Sequence, residues 1–272
     1  MLVLILVRNT RPLERKQHAE RCYEDQRSIS GVRLRLTEKD LDPASFHPTL
    51  RHLRCAHLSD VHLGWSTPQA QIRHAVRSIN RASVGITFIT GDFFALPSRS
   101  SESSLRALAG IRGPVFAVLG NHDRGKRASA IRRMTVAHGY TLLCDRCVDI
   151  GINGDRLTVV GLDGSHRDIE SQRRLLSKIP SEQAVVVLCH DPARFRILPE
   201  NRGWLCLSGH THGGHFVVPG VTRHLFRLFG QPRMAGEFHR AGNVLHVSRG
   251  AGCSRRLAGR VGARPEVTVL TI

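Results

Sequence analysis

An α/β fold is predicted by three observations. Short aliphatic runs recur along the chain, and each ends in a polar, ligand-type residue. Amphipathic helical patterns lie between these runs. The composition, 41% hydrophobic and 23% charged over 272 residues, is ordinary for one substantial globular domain. Aromatics are only 5%, so aliphatic side chains must fill most of the core.

Residues 1–28 read as an N-terminal arm. Arg8 to Arg27 is dense in charge and fits either a solvated helix or a disordered arm. Met1 to Val7 is apolar but far short of the roughly 20 residues that a membrane span needs. No basic segment precedes it, so neither a secretory signal nor a stable anchor is expected. A single domain is expected over 29–272. Its first element, Ile29 to Leu36, alternates apolar and basic residues like an edge strand.

From Leu53 a rhythm follows. The run Leu53 to Leu58 leads into Ser59-Asp60-Val61-His62, and Gln69 to Ala82 places Ile72, Ala75, Val76 and Ile79 on one helical face. Ile86 to Thr90 leads into Gly91-Asp92, and Val115 to Leu119 into Gly120-Asn121-His122-Asp123. Asp168 to Ile179 reads as a second helix, with Asp168 as its N-cap and Ile169, Leu175 and Leu176 inward. Ala184 to Cys189 leads into His190-Asp191, and Trp204 to Leu207 into Ser208-Gly209-His210-Thr211-His212. In α/β sheets functional groups collect beyond the carboxyl ends of strands. Five strands here deliver Asp, His or Asn at that place.

A lone Asp or His after a strand is usually a turn residue or a cap. The set has a different meaning. Asp60 and His62 are one residue apart, so on an extended segment they point the same way. Gly91 lets the backbone turn sharply before Asp92. Asn121 offers a neutral oxygen, and His190, His210 and His212 add imidazoles. Together these seven residues could hold two metals around a shared carboxylate. Mixed His, Asp and Asn ligation suits Zn, Fe or Mn. Paired ions activate water and neutralise phosphoryl charge, which is what phosphate ester hydrolysis needs.

The ordered pieces "DVH", "GD", "GNHD", "H" and "GHTHGGH" resemble the calcineurin-like metallophosphoesterases, from about Leu53 to Ile272. The resemblance implies a four-layer α-β-β-α sandwich of two mixed sheets, with metals at the C-terminal ends of strands. It implies that Asp60, His62, Asp92 and His212 hold one ion. Asp92, Asn121, His190 and His210 would hold the other, with Asp92 bridging. His122 would touch the substrate phosphate and act as a general acid, and Asp123 occupies the acidic position after it. "LSDVHLG", "GPVFAVLGNHD", "GHTHGG" followed by Pro219, and "VSRGAG" before "PEVTVLTI" resemble the bacterial, often membrane-associated branch. That branch includes enzymes acting on UDP-2,3-diacylglucosamine. Two departures stand out: His215 replaces the usual Gln, and Gly91-Asp92 continues as Phe93-Phe94-Ala95, which argues against a protein phosphatase.

The net charge of +18 attracts polyanions, whether nucleic acid, anionic lipid or phosphorylated substrate. Only four of the 40 cations are lysines. Val221 to Phe229 would place Val221, Leu225, Leu228 and Phe229 on one helical face, suited to a bilayer, an acyl chain or the core. Arg124 and Arg127 would either bind a second phosphate of a diphosphate or form a solvated helix start. The seven cysteines read as free thiols of a reducing compartment, with Cys189 and Cys206 inert inside strands. The expected activity is hydrolysis of a phosphodiester or pyrophosphate bond by two divalent ions. A lipid-linked diphosphate is the favoured substrate, acted on in the cytoplasm or at the inner membrane surface. The alternative is a soluble phosphodiesterase or nuclease. An idle member would need a broken ligand set, and every position is filled.

Overall fold

The computed structural model describes residues 3–7, 20–23, 34–64, 67–95, 105–152, 154–164, 168–214, 217, 221–222, 233–253 and 260–272. The strands are β1 (Val3–Val7), β2 (Glu20–Tyr23), β3 (Arg35–Asp40), β4 (Arg54–Leu58), β5 (Ile86–Thr90), β6 (Val115–Val118) and β7 (Thr141–Leu142). They continue as β8 (Arg146–Ile152), β9 (Asp155–Leu162), β10 (Ala184–Cys189), β11 (Leu205–Ser208), β12 (Gly236–Arg240), β13 (Asn243–Val247) and β14 (Glu266–Thr271). Helices α1 (Gln69–Arg81), α2 (Lys126–Ala137) and α3 (Ile169–Ser177) lie between them.

The strands form two mixed seven-stranded sheets, in the orders β2-β3-β14-β4-β5-β6-β7 and β1-β8-β9-β10-β11-β13-β12. Strands β4, β5 and β6 run parallel in the first, and β9, β10, β11 and β13 in the second. Their side chains alternate with period two, as a sheet buried on both faces requires. In β10, Ala184, Val186 and Leu188 face the layer between the sheets, with Cys55, Phe88 and Phe116 of the first sheet. Val185, Val187 and Cys189 face outward, with Leu176 of α3 and with Trp204. On the far side, Ile72, Val76 and Ile79 of α1 and Ile131 and Met134 of α2 pack on Ala56, Leu58 and Ile89. The four layers are therefore helix, sheet, sheet and helix.

Local expectations hold where the signal is local. The apolar stripe of α1 is buried as the 3.6-residue spacing requires. Asp168 Oδ1 accepts from Ser171 N–H at 2.9 Å and caps α3, which stops at Ser177 rather than Ile179. Of the expected edge strand at Ile29 to Leu36, residues 29–33 lie outside the described residues, and Arg35 and Leu36 open β3. The strand runs Arg35–Asp40 and is covered on both sides, antiparallel to β2 and parallel to β14. Two pieces of the expected arm, β1 and β2, extend the two sheets, with β1 parallel to β8. His215 and residues 223–229 lie outside the described residues.

One polar pair interrupts the layer between the sheets. His57 Nδ1 of β4 meets His246 Nδ1 of β13 at 3.0 Å, and His57 Nε2 meets Thr90 Oγ1 at 2.9 Å. Burial pushes the His57 pKa from 6.5 down to about 3. His246 is also pushed well down, by burial and by His57, Lys39 and Arg249. Both imidazoles are thus neutral in the folded state, while the unfolded chain takes up their protons below about pH 6.5. Their stabilisation is complete above that pH and is lost as the pH falls toward 3, by about 1.4 kcal/mol per pH unit for each histidine. Urea midpoints in chelator at pH 7.5, 6 and 5 should fall more steeply for the wild type than for His57→Gln. Equal slopes would show that His57 is not held neutral.

Candidate metal centre

The donors stand where strands of both sheets end. After β4 the chain turns through Asp60 and His62, after β5 through Asp92, after β6 through Asn121 and His122, after β10 through His190, and after β11 through His210 and His212. The first two turns are zipped together: Asp60 N–H donates to Gly91 O at 3.0 Å, and His62 N–H to Asp92 O at 3.0 Å. Asp60, His62, Asp92, His210 and His212 all have positive φ, between 45° and 73°. Such backbone costs about 1–3 kcal/mol per residue and persists only where the surroundings impose it. Five of the seven expected donors carry it.

Two glycines let these turns approach. A Cβ on Gly120 would overlap Asp92 Oδ1, and one on Gly209 would overlap Asp60 Oδ2. Any side chain at either position would displace the carboxylate it borders.

The donors form two groups that share a carboxylate. In the first, His62 Nε2 lies 3.0 Å from His212 Nε2, and Asp60 Oδ1 lies 3.3 Å from His212 Nε2 and 3.9 Å from His62 Nε2. In the second, His190 Nε2 lies 3.2 Å from both His210 Nδ1 and Asp92 Oδ2. Asp92 Oδ2 is also 3.7 Å from His62 Nε2, so one oxygen faces both groups. Two nitrogens that bind one ion at about 2.0–2.1 Å, at right to tetrahedral angles, are roughly 2.8–3.4 Å apart. The observed nitrogen pairs have that separation. Asn121 Oδ1 is buried without a hydrogen-bond partner, on a cavity wall shared with His190 and His210. A buried amide oxygen left unpaired is costly unless a ligand uses it. The donor set therefore fits two divalent ions.

The outer contacts orient these donors. His190 Nδ1 lies 2.7 Å from Thr90 O, and His62 Nδ1 lies 3.3 Å from Phe94 O. A carbonyl only accepts, so each Nδ1 carries the proton and donates it, which directs the Nε2 lone pair inward. Asp60 Oδ2 accepts from Ser59 Oγ–H at 2.7 Å and His210 N–H at 3.0 Å, while Asp92 Oδ1 accepts from His122 N–H at 2.9 Å. Asp92 keeps its Oδ2 for the centre, and Asp60 Oδ1 faces it while sharing the His210 N–H at 3.2 Å. Burial alone would raise the Asp92 pKa, but the charge and hydrogen bond of His190 and the neighbouring His62 outweigh it and hold it far below the carboxylate range. For His190 burial works downward, and Asp92 overrides it to give a pKa of about 10. Without ions the pair is thus Asp92⁻ and His190⁺, and a bound cation takes the place of that proton.

His122 and Asp123, neighbours in sequence, point to different environments. His122 Nε2 lies 3.9 Å from Asp92 Oδ2, and its side chain keeps 24% of its surface exposed at the mouth of the centre. Asp123 is fully buried. Its oxygens accept from the N–H groups of Phe93, at 3.0 and 3.1 Å, and Gly120, at 3.0 Å. Burial and the Asp92 charge raise its pKa to about 7 against those donors. Asp123, expected beside His122 as a catalytic residue, braces the turns that carry Asp92 and Asn121 through these contacts.

Two expectations about arginines separate as well. Arg127 Nη1 donates to His122 O at 3.3 Å, while Arg124 lines the cavity beside Asn121. Arg194 and Arg260 carried no signal in the sequence. Arg194 lines the same cavity, and Arg260 Nη2 stands 2.7 Å from His212 Nδ1, brought there from near the chain's end. Cys189 and Cys206 are buried free thiols, 3.5 Å apart. No helix among the described residues is long and apolar enough to cross a membrane.

A family model described as calcineurin-like phosphoesterase matches residues 53–214, the stretch that carries all seven donors. The metallophosphoesterase YkuE of Bacillus subtilis is 24% identical over 79% of this chain and 77% of its own. UDP-2,3-diacylglucosamine pyrophosphatase LpxG of Chlamydia muridarum is 24% identical over 87% of this chain and 88% of its own. Phosphodiesterase YaeI of Escherichia coli is 25% identical over 79% and 80%. Among solved structures, a dimetal phosphatase from Danio rerio is 13% identical, covering 74% of this chain and 88% of its own, with a TM-score of 0.45.

Proposed function

The chain belongs to the calcineurin-like phosphoesterase family, and on that premise we propose that it is a dimetal hydrolase of a phosphodiester or pyrophosphate bond whose substrate is a lipid-linked diphosphate such as UDP-2,3-diacylglucosamine. The observation that carries the chemistry is Asp92 Oδ2, shared by two histidine–carboxylate groups at chelating separations. Asp60, His62, Asp92 and His212 would hold one divalent ion, and Asp92, Asn121, His190 and His210 the other. Ions bound there, Mn, Zn or Fe, would supply a nucleophile at neutral pH and neutralise charge on the phosphoryl oxygens.

The remaining work falls to the chain. Where the leaving oxygen is an alkoxide, His122 holds a proton at Nε2 for it, and its exposure lets it reach one. Asp123 and Arg127 hold the turn that aims it. Support for a lipid diphosphate comes from the LpxG relative and from the net charge of +18, which suits a substrate held at an anionic membrane surface. The YaeI relative supports a second reading, a phosphodiesterase acting on small diesters or nucleic acid.

Turnover of bis(p-nitrophenyl) phosphate and of detergent-dispersed UDP-2,3-diacylglucosamine, assayed with each ion after chelator treatment, tests both levels. Ion-dependent cleavage of both is expected. Cleavage of the small diester alone would move the substrate to soluble diesters, and no cleavage with any ion would refute the dimetal reading.

A further inference from the structure

We propose that Arg124 and Arg194 form a subsite for a second phosphoryl group beside the reacting one, so that the enzyme selects pyrophosphate diesters over simple phosphodiesters. The inference rests on the dimetal phosphoesterase reading and narrows its substrate class.

A cavity of about 240 Å³ opens directly from the centre. One wall is Asn121, His190 and His210, three donors of the second ion, so a group inside the cavity adjoins the phosphoryl group held there. The arginines come from separate segments. Arg124 follows the turn after β6, and Arg194 sits on the short turn Pro192–Ile197 after β10. Guanidinium groups match phosphate oxygens in shape and charge, and they stay protonated beside cations where a lysine would not.

The cavity also contains acidic residues, but these are engaged. Asp191 Oδ1 accepts from Ala193 N–H at 2.8 Å, capping that turn, and the buried Asp163 carboxylate hydrogen-bonds the Cys144 thiol. Its size and its charged lining suit a phosphoryl group better than an acyl chain. Pockets for drug-sized ligands span about 300–1,000 Å³ and are mostly apolar. This one is smaller, and Leu162 and Cys189 are its apolar members. Recognition of a lipid-linked diphosphate would thus begin at the diphosphate. Gly164 shapes the wall: a Cβ there would come within 2.5 Å of Leu119 O and 2.9 Å of His190 Cβ.

The step is a hydrolysis. The oxygen of water bonds to one phosphorus, its two protons pass to the solvent or to the product oxygens, the bond from that phosphorus to the bridging oxygen breaks with its electron pair on that oxygen, and two phosphate monoesters leave. The departing monoester carries the charge that the arginines meet.

The test compares kcat/KM on bis(p-nitrophenyl) phosphate with kcat/KM on UDP-glucose and UDP-2,3-diacylglucosamine. Arg124→Gln, Arg194→Gln and the double variant are assayed beside the wild type, with bound metal counted in each. Removing either guanidinium takes away a charge-assisted hydrogen bond and should lower diphosphate turnover about tenfold or more. The fall for the diphosphates should exceed that for the diester by at least tenfold in the double variant, at equal metal content. Equal falls on both classes, or no fall, would overturn the subsite. A wild type that cleaves the diester and neither diphosphate would also overturn it and leave the phosphoesterase reading standing. A wild type that cleaves nothing would refute both.

Discussion

Asp92→Asn should lose both bound metal and turnover, the latter by about 10³-fold or more. Its Oδ2 is the oxygen that faces both donor groups, 3.2 Å from His190 Nε2 and 3.7 Å from His62 Nε2. An amide keeps the shape but removes the negative charge that two cations would share. Metal charge stabilisation is worth several kcal/mol, and each 1.36 kcal/mol is a factor of ten. Asp92 Oδ1 meanwhile holds the His122 N–H at 2.9 Å, so the substitution also loosens the turn that carries His122. Metal analysis by mass spectrometry, run beside the rate assay, checks this. Full metal content with full activity would show that Asp92 bridges nothing. Full metal content with lost activity would place its role on His122.

His122→Asn should reduce turnover by about 10²–10⁴-fold where the leaving group is an alkoxide, the range for removal of a general acid. The fall should be much smaller for p-nitrophenolate, which leaves without a proton, and smaller again for a phosphate monoester. The basis is location: His122 Nε2 is 3.9 Å from Asp92 Oδ2, and the side chain is 24% exposed. His62, 5.2 Å away ring to ring, is buried and turned to the centre. Rates on a matched series of aryl and alkyl phosphodiesters would separate the roles. A steeper dependence on leaving-group pKa in the variant supports proton donation. An unchanged dependence would make His122 a substrate-binding residue only.

The largest part of the fold was legible because its signals are local. A run such as Ala184 to Cys189 can be recognised from six residues, and the observed strand has those bounds. The stripe in α1 and the Asp168 cap are likewise contained within a few turns of chain. That the candidate donors would stand together was legible for a related reason. Each sits just past the carboxyl end of a strand, where side chains leave the packed layer and are free to carry chemistry.

Other features depend on segments far apart in sequence. No periodicity around Arg35 and Leu36 could show that β2 and β14 would cover β3 on both sides. Nothing in the run around Asp123 shows that the turns after β5 and β6 meet and occupy its oxygens with backbone N–H groups. Arg194 and Arg260 belong to no motif, and the His57–His246 contact joins residues 189 positions apart. The sequence alone determined which residue types stand at the strand ends, because burial and turning are local properties of a short run. Only the tertiary structure decided that the ends of β4, β5 and β6 in one sheet meet those of β10 and β11 in the other. Sheet order and register are set by packing summed over the whole chain, and that sum decides which side chains converge on the candidate centre, which brace the turns and which line the cavity beside them.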